Sequence, residues 1–170
     1  MKILFIAAAL IAVAPLSLVT SDAQQRSHEA PAKSGNVASV IAGQSDLTVF
    51  STLIDAAGMR KQLSDGGPYT ILAPTDDAFQ LLGEGALEKL LMPENREKLL
   101  AMIRYHIIPV RMEASAIRTG EMKTLQGSKV AIDADSSAIW IGRAEIMRPD
   151  VRAGNGVIHA INMVLEPDVE

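Results

Sequence analysis

The sequence predicts an α+β fold with an antiparallel or mixed sheet. Apolar residues recur at helical spacing through much of the first half and alternate with polar ones in the second, so helices come first and strands follow. The chain also has no cysteine, so its stability has to come from a packed core. With 170 residues and 48% hydrophobic content there is enough material for one such domain.

Each element has a local reason. In SDLTVFSTLIDAAG, Val49, Phe50, Leu53, Ile54 and Ala57 make one apolar stripe. Asp46 or Thr48 suits the helix start, and Gly58 suits the left-handed position after its end. Leu87, Leu90 and Leu91 mark a shorter helix. In PENREKLLAMIRYH, Pro93 stands near the start while Leu99, Met102, Ile103 and His106 share a face. Later, Val130 and Ile132, then Ile139 and Ile141 around Trp140, alternate on either side of a DADSS turn, the pattern of a hairpin. Val157, His159 and Ile161 face one way and Ile158 and Ala160 the other, which predicts a strand covered on both sides.

The N-terminus reads as an export signal over residues 1–23. Lys2 is followed by a nearly continuous apolar run from Ile3 to Val19, and Ser21 to Ala23 offers small residues for cleavage after Ala23. Residues 24–35 are polar and small and read as a flexible leader, with the domain expected over 36–168. No later segment is apolar enough to span a bilayer. Formal net charge is −4 and no stretch concentrates lysine and arginine, which argues against nucleic acid as a partner.

Three short stretches carry the remaining signal. In YTILAPTDDAF, Tyr69 to Ala73 form a strand that Pro74 ends. Thr75 then caps a helix, Asp76 and Asp77 place negative charge at its positive end, and Phe79 turns back to the core. Tyr105-His106 closes the long helix before the strand-like Ile107 to Pro109, and a histidine on an apolar face reads as a hydrogen-bonded core residue. In NGVIHAI, Asn155-Gly156 reads as a turn whose residues tolerate positive φ, and His159 as a buried neutral imidazole bonded to backbone.

In this order, with TLQG at Thr124 to Gly127 between the second and third, these stretches resemble the fasciclin domain family over about residues 36–167. The resemblance implies a wedge or sandwich of strands with the helices packed along one edge. It also implies an exported, non-enzymatic adhesion or interaction module that meets a cell-surface or matrix protein or polysaccharide. The Tyr-His segment (Tyr105, His106, Ile107, Pro109) would be its interaction candidate. Pro74, Thr75, Asp76, Phe79, Asn155, Gly156 and His159 would be structural. Val110 departs from the family's glycine after the proline, Asn162 from its aspartate and Glu166 from an apolar residue.

Some fasciclin domains hold carotenoid-like pigments beside the first helices. The alternative implied here is therefore a carrier of a small apolar ligand, with Val49, Phe50, Leu53, Ile54, Met59 and Met122 lining the groove; helical spacing by itself favours these residues as core. No cofactor is expected. The histidines lie far apart in sequence. Asp133 and Asp135 open a calcium-like loop that then has Ala138 and Ala144 where glycine and glutamate are needed. No nucleophile or phosphate motif occurs, so catalytic and metal sites are expected to be absent. The short signal and cysteine-free chain suggest a bacterial protein, secreted or periplasmic.

Overall fold

Two strands from distant parts of the chain form the centre of the molecule. β1 (Tyr69–Pro74) and β7 (Gly156–Ile161) pair in parallel from Tyr69↔Gly156 to Pro74↔Ile161, and all six residues of each are buried. The computed structural model describes residues 35–83 and 85–167, within a unit spanning Pro31–Glu170. The signal expected at 1–23 and the leader up to residue 34 lie outside the described residues. Gly35, placed at the leader's end, accepts a hydrogen bond from Gly154 N–H at 2.8 Å.

The remaining strands are β2 (Ile107–Ile108), β3 (Gly120–Lys123), β4 (Lys129–Ala134), β5 (Ile139–Ile141) and β6 (Ala144–Ala153). They complete a mixed sheet in the order β2-β1-β7-β6-β5-β4-β3, antiparallel at every pairing but β1 with β7. This is the α+β class the sequence predicts. The expected hairpin is β4 and β5, paired through Ile132↔Ile141. β6 pairs with β5 only at Ala144 and Glu145 and with β7 from Ile146 onward, through two register shifts. Such bulges bend and twist a sheet. Leu72 and Ile108 from one half therefore share a core with Val130, Ile132 and Ile141 from the other.

The helices α1 (Val37–Ala42), α2 (Thr48–Ala56), α3 (Arg60–Asp65), α4 (Asp76–Gln80), α5 (Ala86–Leu91) and α6 (Arg96–Tyr105) build the second core against β1 and β7. α2 ends as the sequence predicts. Gly58 has φ +71°, Gly58 N–H donates to Asp55 O at 2.9 Å, and Met59 N–H to Ile54 O at 3.0 Å. Pro93 opens a 3-10 turn, Pro93–Asn95, that leads into α6. Two elements have weak sequence signals. α1 has only six residues, capped by Asn36 whose Oδ1 accepts from Ser39 N–H at 2.9 Å. β6 contains Pro149 and Asp150, the latter at φ 58°, and so loses its alternation.

The Asn155-Gly156 turn corrects an expectation. Positive φ occurs at neither residue, nor at Gly154. Glycine is needed at 156 because a Cβ there would lie 2.3 Å from Tyr69 O and 2.9 Å from Val37 Cγ1. The backbone of β7 approaches β1 too closely for any side chain. Gly156→Ala is expected to destabilise the fold by about 1–3 kcal/mol through overpacking, measured as a fall in the urea midpoint. An unchanged midpoint would show that the close approach is not required.

Candidate functional site

The shared-motif residues fall into three clusters, each joining segments far apart in the chain. Asn155 forms the first. Its Oδ1 accepts from Val37 N–H at 2.8 Å, and its Nδ2 donates to Leu63 O at 2.7 Å and Gly66 O at 2.6 Å. One side chain thus completes the start of α1 and the end of α3.

The second cluster is His106 at the end of α6. The ring is fully buried, its Nδ1 lies 2.8 Å from Met102 O, and its Nε2 lies 2.9 Å from Leu165 N. A carbonyl only accepts and an amide N–H only donates, so the proton sits on Nδ1 and the ring is neutral. Burial pushes its pKa down to about 4 against the carbonyl's smaller opposing pull. Phe50 packs on the ring at 5.8 Å between centroids. The next links follow directly. His106 O accepts from Leu72 N–H at 2.8 Å, and in the TLQG loop Leu125 N–H donates to Ile107 O at 2.6 Å.

The third is His159 on β7, with the opposite tautomer. Its Nε2 donates to Met112 O at 3.0 Å and its Nδ1 accepts from Asp150 N–H at 3.1 Å. Burial lowers its pKa, opposed by the Met112 carbonyl and the Asp150 charge. Thr70 holds the same loop, donating to Val110 O at 2.6 Å and accepting from Met112 N–H at 2.9 Å. Pro109 takes the middle of a tight turn in which Val110 N–H donates to Ile108 O at 2.8 Å, a geometry suited to proline's fixed φ. Valine at 110 fits there without positive φ.

Thr75 caps α4 as expected, accepting from Ala78 N–H at 3.3 Å. Asp76 does something the sequence does not reveal. Its carboxylate accepts from Thr48 Oγ1 at 2.5 Å and from Val49 N–H at 2.9 Å, so it caps α2 rather than only α4. Asp46 and Thr48 are the alternatives expected as that cap; Asp46 instead pairs with Arg148 at 3.0 Å, Thr48 is the first residue of α2, and Leu47 stands at the N-cap without a side-chain bond.

These placements correct the candidate sites. Tyr105, His106 and Ile107 are interior, Tyr105 being 7% exposed with its hydroxyl 3.3 Å from Lys129 O. Their side chains are turned to the interior, and Pro109 alone of the four is exposed. Phe50, Leu53, Ile54 and Met59 are core residues, and Met122 packs against the other core. Of the proposed groove residues, Val49 lines an opening. That opening is a hollow of about 460 Å³ between α2, α4 and the start of α5, lined by Val49, Asp76, Phe79, Gln80, Gly83 and Leu87. Among the described residues no cluster of three metal-ligating side chains occurs, and no helix is long and apolar enough to cross a membrane.

Comparison with known proteins places this geometry. A family model described as the fasciclin domain matches residues 45–167. The chain is 35% identical over 131 residues to the Synechocystis protein sll1483, covering 77% of this chain and 73% of that one. It is 33% identical over 134 residues to transforming growth factor-beta-induced protein ig-h3 of Sus scrofa, covering 78% of this chain and only 19% of that protein. A solved FAS1 domain pair from the insect cell adhesion molecule fasciclin I superposes with TM-score 0.68 at 17% identity, covering 79% of this chain and 51% of the other.

Two outcomes follow. Asp76→Ala is expected to cost about 1–2 kcal/mol by uncapping α2, read as a lower thermal midpoint with the fold retained. For His106 the folded pKa is about 4 against an ordinary 6.5, so between these values the unfolded chain binds the extra proton. Its contribution is therefore complete above about pH 6.5 and is lost as pH falls toward 4, by about 3 kcal/mol in all. Urea melts across this window should show that slope, and His106→Phe should flatten it while lowering stability at neutral pH. An equally steep slope in the variant would assign the effect elsewhere.

Proposed function

The chain belongs to the fasciclin domain family, and from that premise we propose that it is an exported, non-enzymatic interaction module mediating contacts at a cell surface or matrix. One observation carries the reading. The motif side chains Asn155, His106, His159, Thr75 and Asp76 all bond to groups on the protein's own chain, and so build a scaffold rather than a reaction centre. Binding then falls to the surface. The helical side offers Leu81, 71% exposed, together with exposed Leu91 and Met92. Exposed large apolar side chains on this side are where such a contact would be made. The solved relative from a cell adhesion molecule supports this use of the fold.

The hollow beside these residues supports a second reading, the carriage of a small apolar molecule. Its volume of about 460 Å³ lies within the roughly 300–1,000 Å³ of small-molecule sites, and Val49, Phe79 and Leu87 give it apolar walls. Unlike the groove expected from sequence, it lies outside the core, so a ligand there would displace no packed side chain.

The readings separate experimentally. As an interaction module, the protein binds cells or matrix above the level of an unrelated exported protein, and Leu81→Glu with Leu91→Glu removes most of that binding while the melting temperature holds. Cell binding at the level of the unrelated protein rejects the module. As a carrier, the protein from its native source yields a stoichiometric apolar compound to organic extraction, and Val49→Trp lowers the yield by filling the hollow.

A further inference from the structure

The strand half carries a second surface. The registers Asp133↔Trp140 and Trp140↔Glu145 set these three side chains in one row across β4, β5 and β6. Ile132, Ile141 and Ala144 on the opposite face are buried, so the row lies on the outer face. Trp140 is 39% exposed and is the chain's sole tryptophan. Side chains directly opposite in neighbouring strands stand about 5 Å apart, so the indole has a carboxylate on each side.

Neither carboxylate is in an ion pair among the described residues. Among the described residues the only side-chain partner of Asp133 is the Thr119 hydroxyl, a long 3.4 Å away. On the same face Lys129 is paired with Glu121 at 2.8 Å, and Lys123, opposite Lys129 on β3, is in no ion pair with either carboxylate. The row thus offers an aromatic face between two uncompensated negative charges. A planar cation suits all three groups at once. A guanidinium stacks on indole and bonds a carboxylate with two parallel N–H groups, which a compact ammonium does not match. A neutral sugar would stack on the indole but leave both charges unanswered.

We propose that the outer face of β4, β5 and β6 is a docking surface for an arginine side chain of a protein partner, held over Trp140 between Asp133 and Glu145. This face shares no residue with the helical hollow, so the inference stands independently of the function proposed above.

Trp140 is its own reporter, since all tryptophan fluorescence of the chain arises there. The full chain is titrated with a blocked hexa-arginine peptide, with hexa-lysine and with a neutral hexasaccharide. The expected result is a saturable fluorescence change with hexa-arginine that weakens in high salt and is several-fold tighter than with hexa-lysine. The double variant Asp133→Asn, Glu145→Gln, conservative and on the surface, should lower that affinity about tenfold with unchanged circular dichroism. An indole signal that ignores the arginine peptide overturns the proposal. So does an equal response in the double variant, or a response to the hexasaccharide in its place.

Discussion

The parallel contact between β1 and β7 is the constraint from which the rest of the architecture follows. A parallel pair cannot be closed by a tight turn, and here the connection runs through every other strand and three helices. Both strands are covered on both faces, one by the helices and one by the folded-over hairpins. Their apolar side chains supply each core with its central layer, and their close approach dictates a residue without a side chain at 156. The helices have no sheet to pack on until this pair exists.

The two buried histidines show how a polar group can be held in such an interior. Each offers one N–H to a carbonyl and one lone pair to an amide, His106 tying the end of α6 to Leu165 and His159 tying the Met112 loop to β6. Serving opposite tautomers, they are the same device used in mirror-image chemistry. Burial keeps both rings neutral, and neutrality is what allows one nitrogen to accept. A side chain able only to donate, or only to accept, would strand a buried backbone group.

Much of this was legible from sequence, and the limits have physical causes. Periodicity located α2, α6 and β7, and Gly58 marked the end of α2, because those signals are local. The histidines were readable as buried and bonded, though not which nitrogen held the proton, since that depends on partners at 112 and 165. Asp76 read as a cap for its own helix because nothing local shows that Thr48 and Val49 lie beside it. Helical spacing favours a core over a groove for Phe50, Leu53 and Ile54, and all three lie in the core that packs against β1 and β7. β6 stayed hidden because its bulges at Arg148 to Asp150 interrupt the alternation that announces a strand.

The order in which the central strands appear along the chain has a kinetic meaning. β1 emerges early and β7 after every other strand, so the pairing with the greatest sequence separation is also the one on which both cores close. Loop-closure entropy must be overcome before that contact gives any return, which places such a topology among slow folders. The growing chain has helices and hairpins to form but no completed interior until Val164 and Leu165 are available. The last strand to be made is therefore the one that joins the two cores.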